Sequence, residues 1–316
     1  VSPMETYTRP RPAVRTVPPP PGTYVPTGRR TGPATLPEPR SRRTELNLLG
    51  PLEVLRYGDP RPLGSRRVRT VLGFLLLHSN EAVSTDELTD ALWPVEAPLT
   101  ARRMVWSAVS ALHSALPEVR TGVPLPAVRT GYPAGPGGGC LLEAAPHQVD
   151  LLRFRQQAAR GERELAARNW AAASATLRRA LDLWRGDVLA DLAPESAHWP
   201  ESEAVREERW AARLAAVTAD LALGRNHDVV RELTVVAERR PLPARPAGLL
   251  MIALYRVGRQ VDALDVCHRA REAMGRATGS EDGRELRLLQ HAVLTHDPAL
   301  FDPGPPFRPT GYGSGG

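Results

Sequence analysis

Apolar positions change their spacing several times along this 316-residue chain, and each change predicts a different element. Leu46–Val54 reads as a strand, followed by a turn at Tyr57-Gly58-Asp59-Pro60. Val68, Val71, Leu72 and Leu75 then recur at helical spacing, which predicts a helix from about Arg66 to His78, ended by Asn80. Ser84-Thr85-Asp86-Glu87 has the form of a capping box, in which the Ser84 side chain accepts from the Glu87 backbone and Glu87 reaches back. The helix it opens carries Leu88, Ala91 and Leu92 and closes at Trp93-Pro94. A third helix is expected over Ala101–Leu116, with Thr100 as N-cap. Its inward face holds Ala101, Val105, Ala108, Val109, Leu112 and Leu116; its outward face holds Arg103, Trp106, Ser107, Ser110 and Ser114, flanked by Arg102 and His113.

Residues 123–143 read as a hairpin, with strands at Ala127–Thr130 and Gly139–Glu143 around a Gly/Pro-rich loop. From Val149 the period is helical throughout, over about 150–167, 170–185, 201–223, 227–239, 246–257, 260–277 and 283–295, with one long break at Gly186–Pro200. Leu223-Gly224-Arg225-Asn226-His227-Asp228 echoes Val257-Gly258-Arg259-Gln260-Val261-Asp262 at the tetratricopeptide offset of 34. An arbitrary helical bundle is the alternative. The fold class expected is mainly α: a winged helix-turn-helix DNA-binding domain over 45–148, followed by a tetratricopeptide-like all-α domain over 149–298. Residues 1–44, with eleven prolines, and the Gly/Pro-rich residues 299–316 are expected to be disordered tails.

Charge qualifies this picture. All 41 basic residues are arginine, and the net charge is +6. Residues 1–44 hold eight arginines against two glutamates and so carry the whole excess; 45–148 hold nine against ten acids, and 149–316 hold twenty-four against twenty-three. The basic character belongs to the tail, which counts against strong non-specific DNA binding by the folded part. A local basic face is still compatible with these totals.

Catalysis finds no support. Without lysine there is no Gly-x-x-x-x-Gly-Lys-Ser/Thr loop, and Gly137–Gly139 lies between strands, where a dinucleotide fingerprint does not sit. The eight histidines form no metal-spaced pair, and no Ser-His-Asp set stands out. Cys140 and Cys267 lie far apart, so neither a disulfide nor a zinc site is expected. No cofactor is expected. No run approaches the roughly 18 apolar residues of a membrane helix. A cytoplasmic protein without membrane partners is the expectation.

Several blocks, in order, carry a family resemblance. They are Leu48-Leu49-Gly50-Pro51-Leu52-Glu53-Val54; Leu88-Thr89-Asp90-Ala91-Leu92-Trp93-Pro94; Ala180-Leu181-Asp182-Leu183-Trp184-Arg185-Gly186; Ala253-Leu254-Tyr255-Arg256-Val257-Gly258-Arg259-Gln260; and Leu286-Arg287-Leu288-Leu289-Gln290. Over residues 46–298 the chain resembles the Streptomyces antibiotic regulatory protein family, in a short form. The resemblance implies an OmpR-type winged helix followed by a bacterial transcriptional activation domain. It also implies promoter binding at direct repeats, activation of a secondary-metabolite (antibiotic) biosynthetic gene cluster, and contact with RNA polymerase, including its sigma subunit. Three features depart from the family pattern. The third helix ends in Leu112-His113-Ser114 where Leu-Arg-Arg-like residues are common. Seven residues separate Thr130 from Gly138-Gly139, with Cys140 in the usual aromatic place, and residues 45–148 are not net basic.

In a winged helix the third helix enters the major groove. Arg102 and Arg103 in its first turn are the leading base or phosphate contacts, with Ser107 and Ser110 as shorter hydrogen-bonding groups. Trp106 either packs or stacks against sugar. Arg66, Arg67 and Arg69 open the first helix as phosphate clamps or as a solvated helix end, and Arg129 and Thr130 flank the wing. A positive face around Arg66, Arg102, Arg103 and Arg129 is the expected mark of promoter binding. Trp170, Trp184, Trp199 and Trp210 read as packing residues between helical repeats, and Arg178-Arg179 and Arg239-Arg240 as solvated surface. Residues 149–298 are expected to supply homodimer and polymerase contacts. The rival reading is a protein-interaction adaptor derived from such a regulator, with weak or no DNA binding.

Overall fold

A computed structural model describes residues 44–116, 120–121, 138–278 and 283–302. It opens with an antiparallel meander of β1 (Thr44–Asn47), β2 (Glu53–Arg56) and β3 (Asp59–Pro60), in which Thr44 pairs with Arg56 and Asn47 with Glu53. The single strand expected over Leu46–Val54 is therefore two strands. Leu48–Leu52 leave the ladder because their backbone groups bond to residues more than a hundred positions later.

Helices α1 (Arg66–Leu77), α2 (Thr85–Leu92) and α3 (Ala101–Ala115) follow close to their expected bounds. The capping box of α2 forms in full: the Glu87 N–H donates to Ser84 Oγ at 3.1 Å and the Ser84 N–H to Glu87 Oε2 at 2.7 Å. Thr100 occupies the N-cap position of α3 but caps nothing, since its hydroxyl turns to the Met104 sulfur at 3.4 Å. A second sheet pairs β6 (Gly139–Glu143) with β4 (Ala82–Ser84) and β5 (Arg120–Thr121), all antiparallel. The expected strand at Ala127–Thr130 lies outside the described residues.

The helical part comprises α4 (Asp150–Ala166), α5 (Trp170–Leu181), α6 (Ala193–Ser196), α7 (Pro200–Ala222), α8 (Asn226–Arg239), α9 (Ala244–Arg256), α10 (Gln260–Thr278) and α11 (Arg284–Leu294). The break expected at Gly186–Pro200 contains a 3-10 turn, Ala190–Leu192, and the short α6. The echoed turns are the same motif. Gly224 and Gly258 have φ of +75° and +80°, and the next residue donates five back, Arg225 to Asp220 at 2.9 Å and Arg259 to Leu254 at 2.8 Å. This closes a helix with a left-handed residue, where glycine avoids Cβ strain. Arg168 and His296 make the same turn with non-glycine residues, with φ of +58° and +54°.

Apolar packing does not respect the boundary at 148/149. One continuous cluster runs from Leu46 through α1–α3 and β6 into α4, α5 and one face of α7, as far as Ala219; a second runs from Leu214 to Leu300. Helix α1 explains the continuity. Beyond the expected inward face, Phe74, Leu76 and Leu77 are also buried, and a helix apolar all round must be covered on every side. Gly73 lets that cover approach, since an added Cβ would lie 3.1 Å from Leu192 Cδ1 and 3.2 Å from Leu189 Cδ2.

Candidate nucleic-acid interface and its supporting seam

The α3 helix is built as an exposed row on a buried stripe. Ala101, Val105, Ala108, Val109 and Leu112 are buried, while Arg102, Arg103, Ser107 and Ser110 are exposed. Arg102 donates to Asp86 Oδ1 at 2.6 Å, tying the first turns of α3 and α2 together. Both partners are more than half exposed, so the pair contributes little and can open to a competing anion. The Arg103 guanidinium has no partner among the described residues. Trp106 is half-buried against the main cluster, and a Cβ at Gly138 would meet its Cζ2 at 3.6 Å.

Two of the three arginines that open α1 are bound to carboxylates of the helical part. Arg66 grips Glu195 with two bonds, Nε to Oε1 at 2.5 Å and a terminal nitrogen to Oε2 at 2.8 Å. Arg69 bonds to Asp191 and to the Leu52 carbonyl at 3.0 Å. Arg67 lies over the Trp93 ring, 5.8 Å from its centroid. Of the positive face expected around Arg66, Arg102, Arg103 and Arg129, the described residues include Arg66, Arg102 and Arg103, all exposed. Arg66 is engaged by a carboxylate, and Arg129, with Thr130, lies outside the described residues. Donation from Arg66 holds the Glu195 carboxyl below its ordinary range.

What Arg66 and Arg69 touch is a seam between the two halves of the described chain. Both oxygens of Asp150, at the first position of α4, accept from the Leu48 N–H at 2.9 and 3.0 Å, and one accepts from Leu49 at 2.9 Å. Burial pushes the Asp150 carboxyl upward, while those amides and Arg185 pull against it. The N–H groups of Arg185, Leu189 and Ala190 donate back to the carbonyls of Leu49, Leu48 and Gly50 at 2.7, 3.0 and 3.2 Å. The Leu52 N–H donates to Asp191 at 2.6 Å, and Arg185 pairs with Glu53 at 2.5 Å.

Trp199 completes the seam. Its ring meets Phe74 edge-on at 5.2 Å, and its indole N–H donates to the Ala91 carbonyl at 3.1 Å. It therefore packs between the halves, not between helical repeats as expected. Trp184 does pack within the helical part, edge-on to Phe154 at 5.4 Å. Arg178 is no solvated residue either, since it pairs with buried Asp220 and with Glu232, both at 2.7 Å.

The seam residues Asp150, Arg185, Asp191 and Glu195 were missed as functional positions. The signal available was the all-round apolar character of α1, which demands a partner beyond α2 and α3. Burial pushes the Cys140 thiol to about 12, which leaves it a protonated core group at neutral pH. Among the described residues no group of three or more His, Cys, Asp or Glu could hold a metal ion, and no helix is long and apolar enough to cross a membrane.

Comparison with known proteins decides the family. A family profile for the bacterial transcriptional activator domain matches residues 149–294. The regulatory protein DnrI of Streptomyces peucetius is 32% identical over 272 residues, 83% of this chain and 96% of DnrI. The chain belongs to the Streptomyces antibiotic regulatory protein family. It is a transcriptional regulator.

Other relatives are longer. The regulatory protein AfsR of Streptomyces coelicolor is 35% identical over 89% of this chain and 27% of AfsR. A solved structure of Mycobacterium tuberculosis EmbR, in complex with a low-affinity phosphopeptide, superposes with a TM-score of 0.70 at 32% identity; it covers 81% of this chain and 66% of that one. Two of the blocks that carry the family resemblance, around Leu48–Val54 and Ala180–Gly186, meet at the seam. Part of the family signature is therefore the joint between the two halves of the described chain.

Proposed function

We propose that α3 reads double-stranded promoter DNA from the major groove, and that this activates a secondary-metabolite biosynthetic gene cluster in the cytoplasm. The carrying observation is the exposed row Arg102, Arg103, Ser107 and Ser110 above a stripe that is fully buried. Arg103 is the leading base contact, because its guanidinium is uncommitted among the described residues and an arginine paired with guanine discriminates by about 1–3 kcal/mol. Arg102 exchanges Asp86 for a phosphate on binding. Arg67, exposed beside Trp93, is a phosphate contact, and Trp106 supports the wing root. Arg129 and Thr130 enter as wing contacts on sequence position alone. Arg66 and Arg69 hold the reader to the body, and their commitment to Glu195 and Asp191 supports that role over phosphate clamping.

Residues 149–298 serve as the platform for a second copy of the chain and for RNA polymerase with its sigma subunit, a role supported by the matched activator domain. The near-neutral folded part fits a protein that relies on base reading more than on phosphate neutralisation. DNase footprinting of the purified chain on promoters flanking its own gene tests the reading. Protection of spaced direct repeats is expected. Uniform or absent protection across all of them would contradict it.

A further inference from the structure

On the face of the second apolar cluster, the C-terminal end of α8, the residues just after it and the second half of α10 line an open cavity of about 340 Å³. Its floor is apolar, formed by Leu242, Val266 and Ala270. Four exposed arginines stand around it: Arg239, Arg240, Arg269 and Arg276. Several arginines elsewhere on the body pair with carboxylates, as Arg155 does with Glu208 and Arg213 with Glu232. The guanidinium groups of these four make no ion pair or hydrogen bond among the described residues; Arg240 lies over the Trp210 ring, 5.3 Å from its centroid. Glu238 and Glu272 also line the cavity, and Glu272 faces His268 at 3.3 Å, so two carboxylates oppose four cations.

Helix-end electrostatics account for only half of this rim. Arg239 and Arg276 fall in last turns, where a cation meets the negative end of the helix dipole. Arg240 lies beyond the end of α8 and Arg269 in the interior of α10. Val266, Ala270 and the two α10 arginines recur at helical spacing, so one stripe presents floor and rim together.

We infer that this arginine-rimmed cavity docks a short acidic peptide segment of a partner protein, with an apolar side chain on the floor and carboxylates on Arg269 and Arg276. A duplex fits the feature poorly. A backbone of phosphates offers nothing for an apolar floor, and α8–α10 belong to a cluster separate from the one that holds α3. The inference does not depend on promoter reading by α3.

Fluorescence anisotropy on the intact chain tests it, using a fluorescein-labelled peptide repeating Asp-Leu-Glu and an uncharged counterpart repeating Asn-Leu-Gln. The acidic peptide is expected to bind and the uncharged one not. The Arg269→Glu/Arg276→Glu variant should weaken binding by about tenfold or more. Arg231→Glu, an equal change per residue on the exposed face of α8, should leave it within about twofold. Thermal melts confirm that each variant is folded, and Arg269→Gln/Arg276→Gln takes the place of the double reversal should that one not fold. Absence of acidic-peptide binding, equal binding by the double variant, or displacement of the peptide by random duplex DNA would each overturn the assignment.

Discussion

Leu48 and Asp150 lie 102 positions apart, and the Leu48 N–H lies 2.9 and 3.0 Å from the two oxygens of the Asp150 carboxylate. The Leu49 N–H joins the same group. Two backbone donors just beyond β1 thus find their acceptor at the start of the helical body. A buried N–H left without an acceptor costs about 1–3 kcal/mol. Asp150→Ala is therefore expected to destabilise the chain on the order of 2–5 kcal/mol, with Asp150→Asn losing less because one carbonyl oxygen remains. Urea unfolding checks this, and a shift of the Asp150→Ala midpoint too small to resolve would show that the seam carries no weight.

Gly50 sits where the Leu48–Pro51 loop passes against Arg185. Its φ is +157°, and a Cβ there would lie 2.9 Å from Arg185 Cβ. Gly50→Ala must push the Leu48–Pro51 loop off Arg185, an overpacking cost of about 1–3 kcal/mol. Gly224→Ala has open space and only backbone strain to meet, about 1–2 kcal/mol at φ +75°. The Gly50 variant should also become more sensitive to proteolysis between the halves, whereas the Gly224 variant should not. Matching digestion patterns would remove the special role of Gly50.

Acid should loosen the Arg66–Glu195 clasp. Arg66 holds the Glu195 carboxyl below the ordinary 4.5, so the folded state favours the ionised form. Its contribution is present at neutral pH and is lost as pH falls through that lowered value. Glu195→Gln should melt below the wild type at pH 7, and the two curves should converge as pH falls through that lowered value. A gap that persists unchanged into acid would assign the difference to packing.

Much of this fold was legible because its signals are local. The Ser84–Glu87 box, the period of α3 and the paired Gly224 and Gly258 turns each depend on residues within one turn of each other. Arg168 and His296 close helices in the same way, yet their residue types carry no such mark. The seam was illegible for a different reason. Asp150 looks like an ordinary acidic residue at a helix start, and Arg66 and Arg69 look like any basic helix opening. Only the tertiary arrangement decides that their charges meet Asp191, Glu195 and backbone amides in place of a phosphate. The outward row of α3 was readable from spacing, while the engagement of Arg102 by Asp86 was not, because that pair joins two helices.

The most direct test of the account is a competition mobility-shift assay at near-physiological salt, with promoter fragments flanking the gene set against random duplex of equal length. Wild-type chain is expected to prefer at least one fragment, and Arg102→Ala/Arg103→Ala to lose that preference by about 1–3 kcal/mol or more while melting like the wild type. No preference in the wild type, or an undiminished preference in the variant, would contradict reading by α3.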